Sequence, residues 1–211
     1  MIDRYEQLCA IAGPVSRETY DRLLDFEQTF RRWGAQLNLV AASQLHMLWE
    51  RHILDSAQLL KLIPENVSVL DLGSGGGFPG LVLGILAAER GTMTVQMVES
   101  SRKKAGFLQA MIGQYALPAR VQASRIDQAV GLVSQPDLVT ARALAPLPGL
   151  LQLASPWLAN GAAALFHKGR DYRREVKESF NDWAFDLVEH ESVIDAESVI
   201  LEVRSLRKKT V

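Results

Sequence analysis

From residue 67 onward, short runs of β-forming residues alternate with stretches of helical periodicity, and this alternation restricts the chain to few folds. The successive runs are VSVLDL, TVQMVE, ARVQAS, DLVTARA and AAALFHK. Helices are predicted between them at 79–89, 102–115 and 148–158. Strands connected through helical crossovers are parallel and need helices on both faces of the sheet. The pattern therefore predicts an α/β domain with a doubly wound, mostly parallel sheet.

The last part of the chain departs from the alternation. The run VILEVRSL is strand-like and follows another strand-like run, FDLVEHESV, after a short interruption. Strands that follow one another without a helical crossover pair antiparallel. We therefore expect these two runs to form an antiparallel edge on the sheet.

The residues before the alternating region have a helical pattern. Residues 16–33 place large apolar side chains mostly at helical spacing, and residues 43–62 continue with a second helical pattern. At 211 residues the chain has room for one α/β domain with a small extension. We predict an N-terminal helical segment at 1–64, packed on a core domain at 65–211.

Composition excludes several classes of protein. The net charge of -1 provides no overall positive field for gripping nucleic acid, so any RNA contact must come from local basic clusters. The single cysteine, Cys9, excludes an internal disulfide framework and a cysteine-rich zinc site, and no metal site is predicted. The beginning MIDRYEQLCAIAG does not resemble a signal peptide, and no apolar run approaches the roughly 20 residues of a bilayer span. We expect a cytoplasmic protein without a membrane partner.

The segment VLDLGSGGGFPG, at 69–80, joins a predicted strand to a predicted helix through a glycine-rich turn. Such a turn brings backbone N–H groups and the positive end of a helix close to a ligand, because glycine has no Cβ atom in the way. It contains G-x-G-x-x-G, which is weak support in a segment so rich in glycine. Two ligand classes remain open, a dinucleotide and S-adenosylmethionine.

Acidic residues near this turn favour one of the two classes. Asp71 precedes Gly73 and Gly75 in a D-x-G-x-G pattern, where a carboxylate suits an amino-acid ammonium group better than a pyrophosphate. Glu99 ends the second predicted strand, where it suits the hydroxyls of a ribose in either cofactor.

The third predicted strand ends in QASRID, which adds a possible adenine site. Ile126 is suited to cover an adenine ring, while Ser124 and Asp127 are suited to meet its amino group. Together with the acidic residues, this order of features favours S-adenosylmethionine. A nicotinamide-dependent oxidoreductase remains the alternative.

The motifs WGAQLNLVAAS, ERHILDS and LDLGSGGGFPG, followed by ES, TARAL and FHKG, resemble the RsmG (GidB) family of ribosomal RNA guanine-N7 methyltransferases. The resemblance extends from about Phe26 to Lys168. It implies a class I S-adenosylmethionine-dependent methyltransferase, with a Rossmann-like, mostly parallel seven-stranded sheet, an antiparallel edge and an N-terminal helical extension. The implied methyl donor is S-adenosyl-L-methionine. The implied acceptor is the guanine at position 527 of 16S ribosomal RNA, either free or in the 30S particle.

Cofactor contacts carried over from the family fall on Gly73, Phe78, Ile126, Asp127 and Arg142. The assignment of Arg142 rests on the resemblance, since a strand-end arginine has no distinctive signal of its own. The complete predicted cofactor set is Asp71, Gly73, Gly75, Phe78, Glu99, Ile126, Asp127 and Arg142.

Methylation of guanine at N7 needs no general base, because N7 carries a lone pair and no proton. The enzyme has to align the reacting atoms and tolerate a cationic product, so we expect no catalytic dyad. Arg142, Lys168 and His52 are the candidate catalytic residues. Arg142 and Lys168 follow the fourth and fifth predicted strands, at the carboxyl edge of the sheet, where they could contact the incoming RNA. The spacing of His52 and Asp55 allows two interpretations, a hydrogen-bond network on a helix surface or a wall of the RNA pocket.

Basic residues cluster in SRKK, HKGRDYRREVK and RSLRKK. Because the acceptor becomes cationic, we expect most of these side chains to contact RNA phosphates, which fix position without reading the base. The family usually has basic residues just before the last strand, whereas this chain reads DAESVILEV, so an RNA contact there is missing or moved. A monomer is expected. A non-catalytic RNA-binding module with the same fold is a further alternative.

Overall fold

The computed structural model describes residues 3–91 and 93–210, which contain one seven-stranded sheet in the order β3-β2-β1-β4-β5-β7-β6. The strands are β1 (Val67–Leu72), β2 (Met93–Val98), β3 (Ala119–Gln122), β4 (Leu138–Arg142), β5 (Ala163–Lys168), β6 (Trp183–Glu191) and β7 (Val199–Lys208). Strands β1 to β5 are parallel, and β7 is antiparallel to both β5 and β6. The predicted parallel sheet with an antiparallel end is confirmed, with β7 inserted between β5 and the edge strand β6.

The helices are α1 (Arg4–Ala12), α2 (Arg17–Leu37), α3 (Asp55–Ala57), α4 (Gly80–Arg90), α5 (Arg102–Gln114), α6 (Ile126–Ala129), α7 (Leu147–Leu158) and α8 (Tyr172–Asp182). Helices α4, α5 and α7 confirm the three predicted crossovers to within one residue at each end. Helix α2 confirms the predicted N-terminal helix and extends it, starting where the Ser16 hydroxyl accepts a hydrogen bond from the Thr19 amide at 3.1 Å. Helices α1, α6 and α8 were not predicted.

The predicted helix at 43–62 is helical but changes type along its length. It begins as a 3-10 helix (Ala42–Met47), widens into a π-helix (Trp49–Leu54), passes through α3 and ends as a 3-10 helix (Gln58–Lys61). The wide turn buries Trp49, His52, Ile53 and Leu54 together. Apolar periodicity predicts a helix but does not distinguish these turn types, because each still buries one side of the segment.

The N-terminal helices share a hydrophobic core with one face of the sheet. Leu8, Phe26 and Trp49 belong to the same buried cluster as Val69 and Leu81. A second cluster fills the other face beneath α7 and continues to β7. The boundary between 1–64 and 65–211 as separate domains remains a prediction. Within the described ranges, every helix is too short or too polar to cross a bilayer.

Candidate active site

The glycine-rich loop connects β1 to α4, and most of its glycines are required by the packing of the protein itself. A Cβ atom on Gly73, where φ is +66°, would lie 2.6 Å from a methyl carbon of Leu144. A Cβ on Gly80 would lie 2.8 Å from a carboxylate oxygen of Asp71. At Gly75, where φ is +55°, the nearest atom would be 3.8 Å away. The open approach for a ligand is therefore at Gly75, while the neighbouring glycines let the loop pack closely.

Asp71 lies at the end of β1, and its side chain is completely buried. Its carboxylate accepts hydrogen bonds from the Thr140 hydroxyl at 3.0 Å and from the Gly80 amide at 3.2 Å. Burial raises the pKa of Asp71 to about 6, although these hydrogen bonds oppose the shift. The structure thus places this carboxylate beneath the loop, where it holds the start of α4. A direct contact of Asp71 with the cofactor remains a prediction.

Glu99 follows β2 and ties the loop to the start of α5. One carboxylate oxygen accepts a hydrogen bond from the Gly75 amide at 2.8 Å, and the other accepts one from the Ser101 amide at 2.7 Å. The side chain is nearly buried. An ionised carboxylate has about four lone-pair sites, so Glu99 can hold the loop and still accept from ribose hydroxyls.

The predicted adenine residues lie after β3, beside the end of β2. Ile126 is half-buried at the start of α6, whereas Asp127 is exposed and lies 3.5 Å from Arg125. The Ser124 hydroxyl is buried and has no hydrogen-bond partner among the described residues. The ends of β1, β2 and β3 are aligned in the sheet, so this edge presents the loop, Glu99 and Ser124 side by side. The room beside Gly75 and the carboxylate of Glu99 fit a nucleoside-containing cofactor such as S-adenosylmethionine.

A cavity of about 320 Å³ lies at the carboxyl ends of β4 and β5. Its walls include Arg142, Lys168 and His52, so the structure brings together all three candidate catalytic residues. Of the predicted cofactor set, Arg142 lines this cavity, whereas the other members lie outside its lining.

Arg142 links the cavity to the glycine-rich loop. Its guanidinium lies 5.3 Å from the centre of the Phe78 ring. The same group lies 2.5 Å from Nδ1 of His52, 2.9 Å from the Arg51 carbonyl oxygen and 3.3 Å from the Asp55 carboxylate. Burial lowers the pKa of Arg142, and the neighbouring Asp55 raises it. Arginine stays protonated in proteins, so the cavity contains a fixed cation paired with a carboxylate.

His52 is 6% exposed and packs against Phe78, with 5.1 Å between the ring centres. Burial, together with the nearby charges of Arg142 and Arg51, lowers its pKa to about 3. The imidazole is therefore neutral at pH 7. His52 and Asp55 do form a hydrogen-bond network through Arg142, but His52 is buried and not on the helix surface. A role of this network as a wall of the RNA pocket remains a prediction.

Lys168 ends β5, and its ammonium group is already paired. It lies 2.6 Å from a carboxylate oxygen of Glu175 on α8 and 3.0 Å from the Ala145 carbonyl oxygen. The same Glu175 oxygen accepts a hydrogen bond from the Leu147 amide at 2.8 Å. These contacts fix the segment after β4 against α8. A role for Lys168 in contacting RNA remains a prediction, and an RNA phosphate there would compete with Glu175.

Sequence reasoning missed several residues that build the site. His167 lines the cavity, and its Nε2 atom lies 2.9 Å from the Asp55 carbonyl oxygen. Lys168 is held by Glu175, and Asp71 is held by Thr140. The glycine-rich loop packs against Leu144. His167 had a usable signal, its place beside Lys168 at a strand end, whereas the other three act through tertiary contacts that leave no local pattern.

Comparisons with known proteins agree on one family. The family model described as rRNA small subunit methyltransferase G (GidB) matches residues 19–203. A protein of Chelativorans sp. (strain BNC1), named ribosomal RNA small subunit methyltransferase G, is 52% identical over 208 residues, 99% of each chain. A protein of the same name from Brucella canis (strain ATCC 23365 / NCTC 10854 / RM-666) is 53% identical over 207 residues, 98% of this chain and 97% of its own.

Solved structures with a similar fold are far more distant in sequence. An O-methyltransferase from Bacillus cereus, in complex with SAH, has a TM-score of 0.58 at 12% identity and covers 95% of this chain and 96% of its own. Fibrillarin from Aeropyrum pernix, with natively bound S-adenosyl-L-methionine, has a TM-score of 0.55 at 18% identity. The match covers 73% of this chain and 75% of the fibrillarin chain. These similarities confirm the predicted class I methyltransferase fold.

Proposed function

Because this chain belongs to the rRNA small subunit methyltransferase G (GidB) family, we propose that it transfers a methyl group from S-adenosylmethionine to N7 of guanine 527 in 16S ribosomal RNA. The chain is thus an S-adenosylmethionine-dependent ribosomal RNA methyltransferase. The single observation that carries the assignment is the near-complete match to proteins of that name. The adjacent loop and cavity, joined through Arg142, support it.

The residues along the ends of β1 to β3 are suited to hold the cofactor. When bound, S-adenosylmethionine supplies an electrophilic methyl group on a sulfonium sulfur. The room beside the half-buried Gly75 admits the ligand, and Glu99 accepts hydrogen bonds from the ribose hydroxyls. Ile126 covers the adenine, while Ser124 and Asp127 hydrogen-bond to its polar edge. Asp71 supports the loop from beneath, and its carboxylate is the predicted partner of the ammonium group of the cofactor.

The cavity at the ends of β4 and β5 is suited to hold the acceptor base. Its size falls within the range typical of small-ligand pockets. The N7 lone pair attacks without prior loss of a proton, so the neutral imidazole of His52 fits a role in positioning. Pairing of Arg142 with Asp55 at 3.3 Å offsets the positive charge that would otherwise oppose a cationic product.

Exposed basic residues around α8 are suited to contact RNA phosphates. Arg170 lies 2.9 Å from Glu197, and Arg174 lies 4.0 Å from Glu178. Arg173 packs over the ring of Tyr172, with no carboxylate within 4 Å in the described part of the chain. We propose that Arg173 makes the strongest phosphate contact of this group. We further propose that the protein acts as a monomer in the cytoplasm, on free RNA or on the 30S particle.

The test is incubation of the purified protein with methyl-labelled S-adenosylmethionine and either unmodified small-subunit RNA or isolated 30S particles. We expect label in 7-methylguanosine after nucleoside analysis, and a single labelled position on sequencing. Calorimetric titration with S-adenosylmethionine runs in parallel. Cofactor binding without label would favour the non-catalytic RNA-binding module, and binding of a nicotinamide dinucleotide in its place would favour the oxidoreductase.

A further inference from the structure

The turn between β6 and β7, residues 192–198, pairs two of its carboxylates with arginines from other parts of the chain. Asp195 lies 3.2 Å from Arg51, which belongs to the π-helix of the N-terminal segment. Glu197 lies 2.9 Å from Arg170, which comes two residues after the end of β5. Each carboxylate thus neutralises a cation that its own strand does not supply.

The two ion pairs lie in adjoining cavities at the carboxyl edge of the sheet. Arg51 and Asp195 line the cavity assigned above to the acceptor base. Arg170 and Glu197 line a second cavity, of about 440 Å³. Ser198 lines both cavities, so the two pairs lie side by side. An RNA strand that places its guanine in the first cavity brings its neighbouring phosphates to this region.

Hydrogen bonds fix the turn that carries the carboxylates. The Ser198 amide donates to the Asp195 carbonyl oxygen at 2.9 Å, and the Glu197 amide donates to the Asp195 carboxylate at 3.0 Å. The Val193 amide donates to the side-chain oxygen of Gln58 at 3.1 Å. Because the turn is closed on itself and anchored to the N-terminal segment, it keeps both carboxylates within reach of the arginines.

Both pairs are exposed enough for a ligand to replace the carboxylate. The side chains of Arg51 and Asp195 are 54% and 28% exposed, and those of Arg170 and Glu197 are 74% and 64% exposed. Exposed ion pairs contribute little to stability, so separating them costs little. Phosphate is a strong partner for a guanidinium, because it can accept two parallel hydrogen bonds. An RNA phosphate can therefore take the place of either carboxylate.

We propose that Arg51 and Arg170 bind phosphates of the RNA strand next to the methylated guanine, and that Asp195 and Glu197 occupy these positions until RNA displaces them. The carboxylates hold the arginines at the cavities in the free protein and lower the affinity for RNA. The inference rests on the proposed function, since it requires an RNA acceptor. It assigns two phosphate sites at the cavities and a competitor for each.

The first test removes the competing charges. Asp195→Asn and Glu197→Gln keep a side-chain oxygen as an acceptor but lose the carboxylate. We expect each to bind unmodified small-subunit RNA about threefold more tightly in filter binding at fixed salt, because an arginine is freed for phosphate. Glu65→Gln is the matched control, since Glu65 is exposed and precedes β1, at the opposite edge of the sheet. Its affinity should equal that of the unaltered protein.

The second test separates competition for an arginine from general repulsion of RNA. Arg51→Gln should weaken RNA binding at least about threefold. Adding Asp195→Asn to Arg51→Gln should then change the affinity by less than about 1.5-fold, because the competitor has lost its arginine. Arg170 and Glu197 form an equivalent cycle. If a carboxylate substitution gives the same gain with and without its arginine, the carboxylate acts only through general repulsion and the proposal is overturned.

The outcomes distinguish this inference from the proposed function. Urea unfolding shows which variants are folded, and if a substitution at one pair prevents folding, the cycle at the other pair still decides. If the unaltered protein methylates the RNA and the carboxylate variants bind it no more tightly, this inference alone fails. If the unaltered protein binds S-adenosylmethionine but neither binds nor methylates the RNA, the proposed function itself fails.

Discussion

The glycine-rich loop and the cavity at β4 and β5 lie at the same edge of the sheet but are built in opposite ways. In the loop, the carboxylates of Asp71 and Glu99 are satisfied by nearby amide and hydroxyl groups. In the cavity, side chains distant in sequence meet, and two imidazole nitrogens are buried without a partner among the described residues. The difference indicates that the loop is preorganised by contacts with nearby backbone, whereas the geometry of the cavity depends on tertiary packing.

The largest expected effect is on the cavity side. Asp55→Ala removes the carboxylate paired with Arg142, whose side chain is only 16% exposed. Because a buried charge is left without its partner, we expect the free energy of unfolding in urea to fall by about 3 kcal/mol. Glu197→Ala, which breaks an exposed pair with Arg170, is the control and should change little. Similar small losses in both variants would contradict the role of Asp55.

A change in the loop should weaken the cofactor side. Gly80→Ala places a Cβ 2.7 Å from Met97 and 2.8 Å from the Asp71 carboxylate. We expect a loss of about 2 kcal/mol in unfolding free energy from overpacking, with at least tenfold weaker binding of S-adenosylmethionine by calorimetry. Gly106→Ala, on an exposed position of α5 with no atom within 4 Å, should stabilise the protein by up to about 1 kcal/mol. Unchanged cofactor affinity in Gly80→Ala would refute the assignment of the loop.

As pH falls, the contributions of the two regions to the stability of the protein should change in opposite directions. The pKa of His52 is lowered from 6.5 to about 3, so the unfolded chain takes up the proton first and stability is lost as pH falls from 6.5 toward 3. The pKa of Asp71 is raised from 3.8 to about 6, so the folded protein takes up the proton first and stability is gained between these values. His52→Gln removes the first effect alone. Between pH 6 and pH 4, the unfolding free energy of the variant should fall less steeply than that of the unaltered protein. The two slopes should differ by about 1 kcal/mol per pH unit. The measurement is urea unfolding at several pH values. If the unfolding free energies of the two proteins change in parallel with pH, His52 does not contribute to the pH dependence of stability.

The smallest expected effect lies outside both regions. Arg173→Gln removes one exposed cation from α8. We expect affinity for small-subunit RNA to fall a few-fold at low salt, and the slope of log K against log salt to decrease by about one. Filter binding over a range of potassium chloride concentrations measures both quantities. An unchanged slope would remove Arg173 from the RNA interface.

Sequence reasoning predicted the sheet and its crossovers well, because burial on both faces leaves apolar runs of strand length and helical spacing. It missed α8, whose many charges drew attention to RNA binding and away from its helical period. On the cofactor side, the predicted positions of Glu99 and Ser124 follow from strand ends that the sheet aligns. On the acceptor side, the contact between Asp55 and His167 joins residues 112 positions apart. Such a contact depends on tertiary packing, which a single sequence does not display.

The position of β7 has a consequence for the order of folding. This strand lies between β5 and β6 in the sheet although it is the last of the described strands in the chain. Its hydrogen bonds with both neighbours cannot form completely until residues through Lys208 have been synthesised and have emerged from the ribosome. Non-local pairing of this kind is slow compared with local structure. The glycine-rich loop, with partners no farther along the chain than Leu144, can therefore assemble early in synthesis, while the cavity wall contributed by Asp195 and Ser198 is completed later.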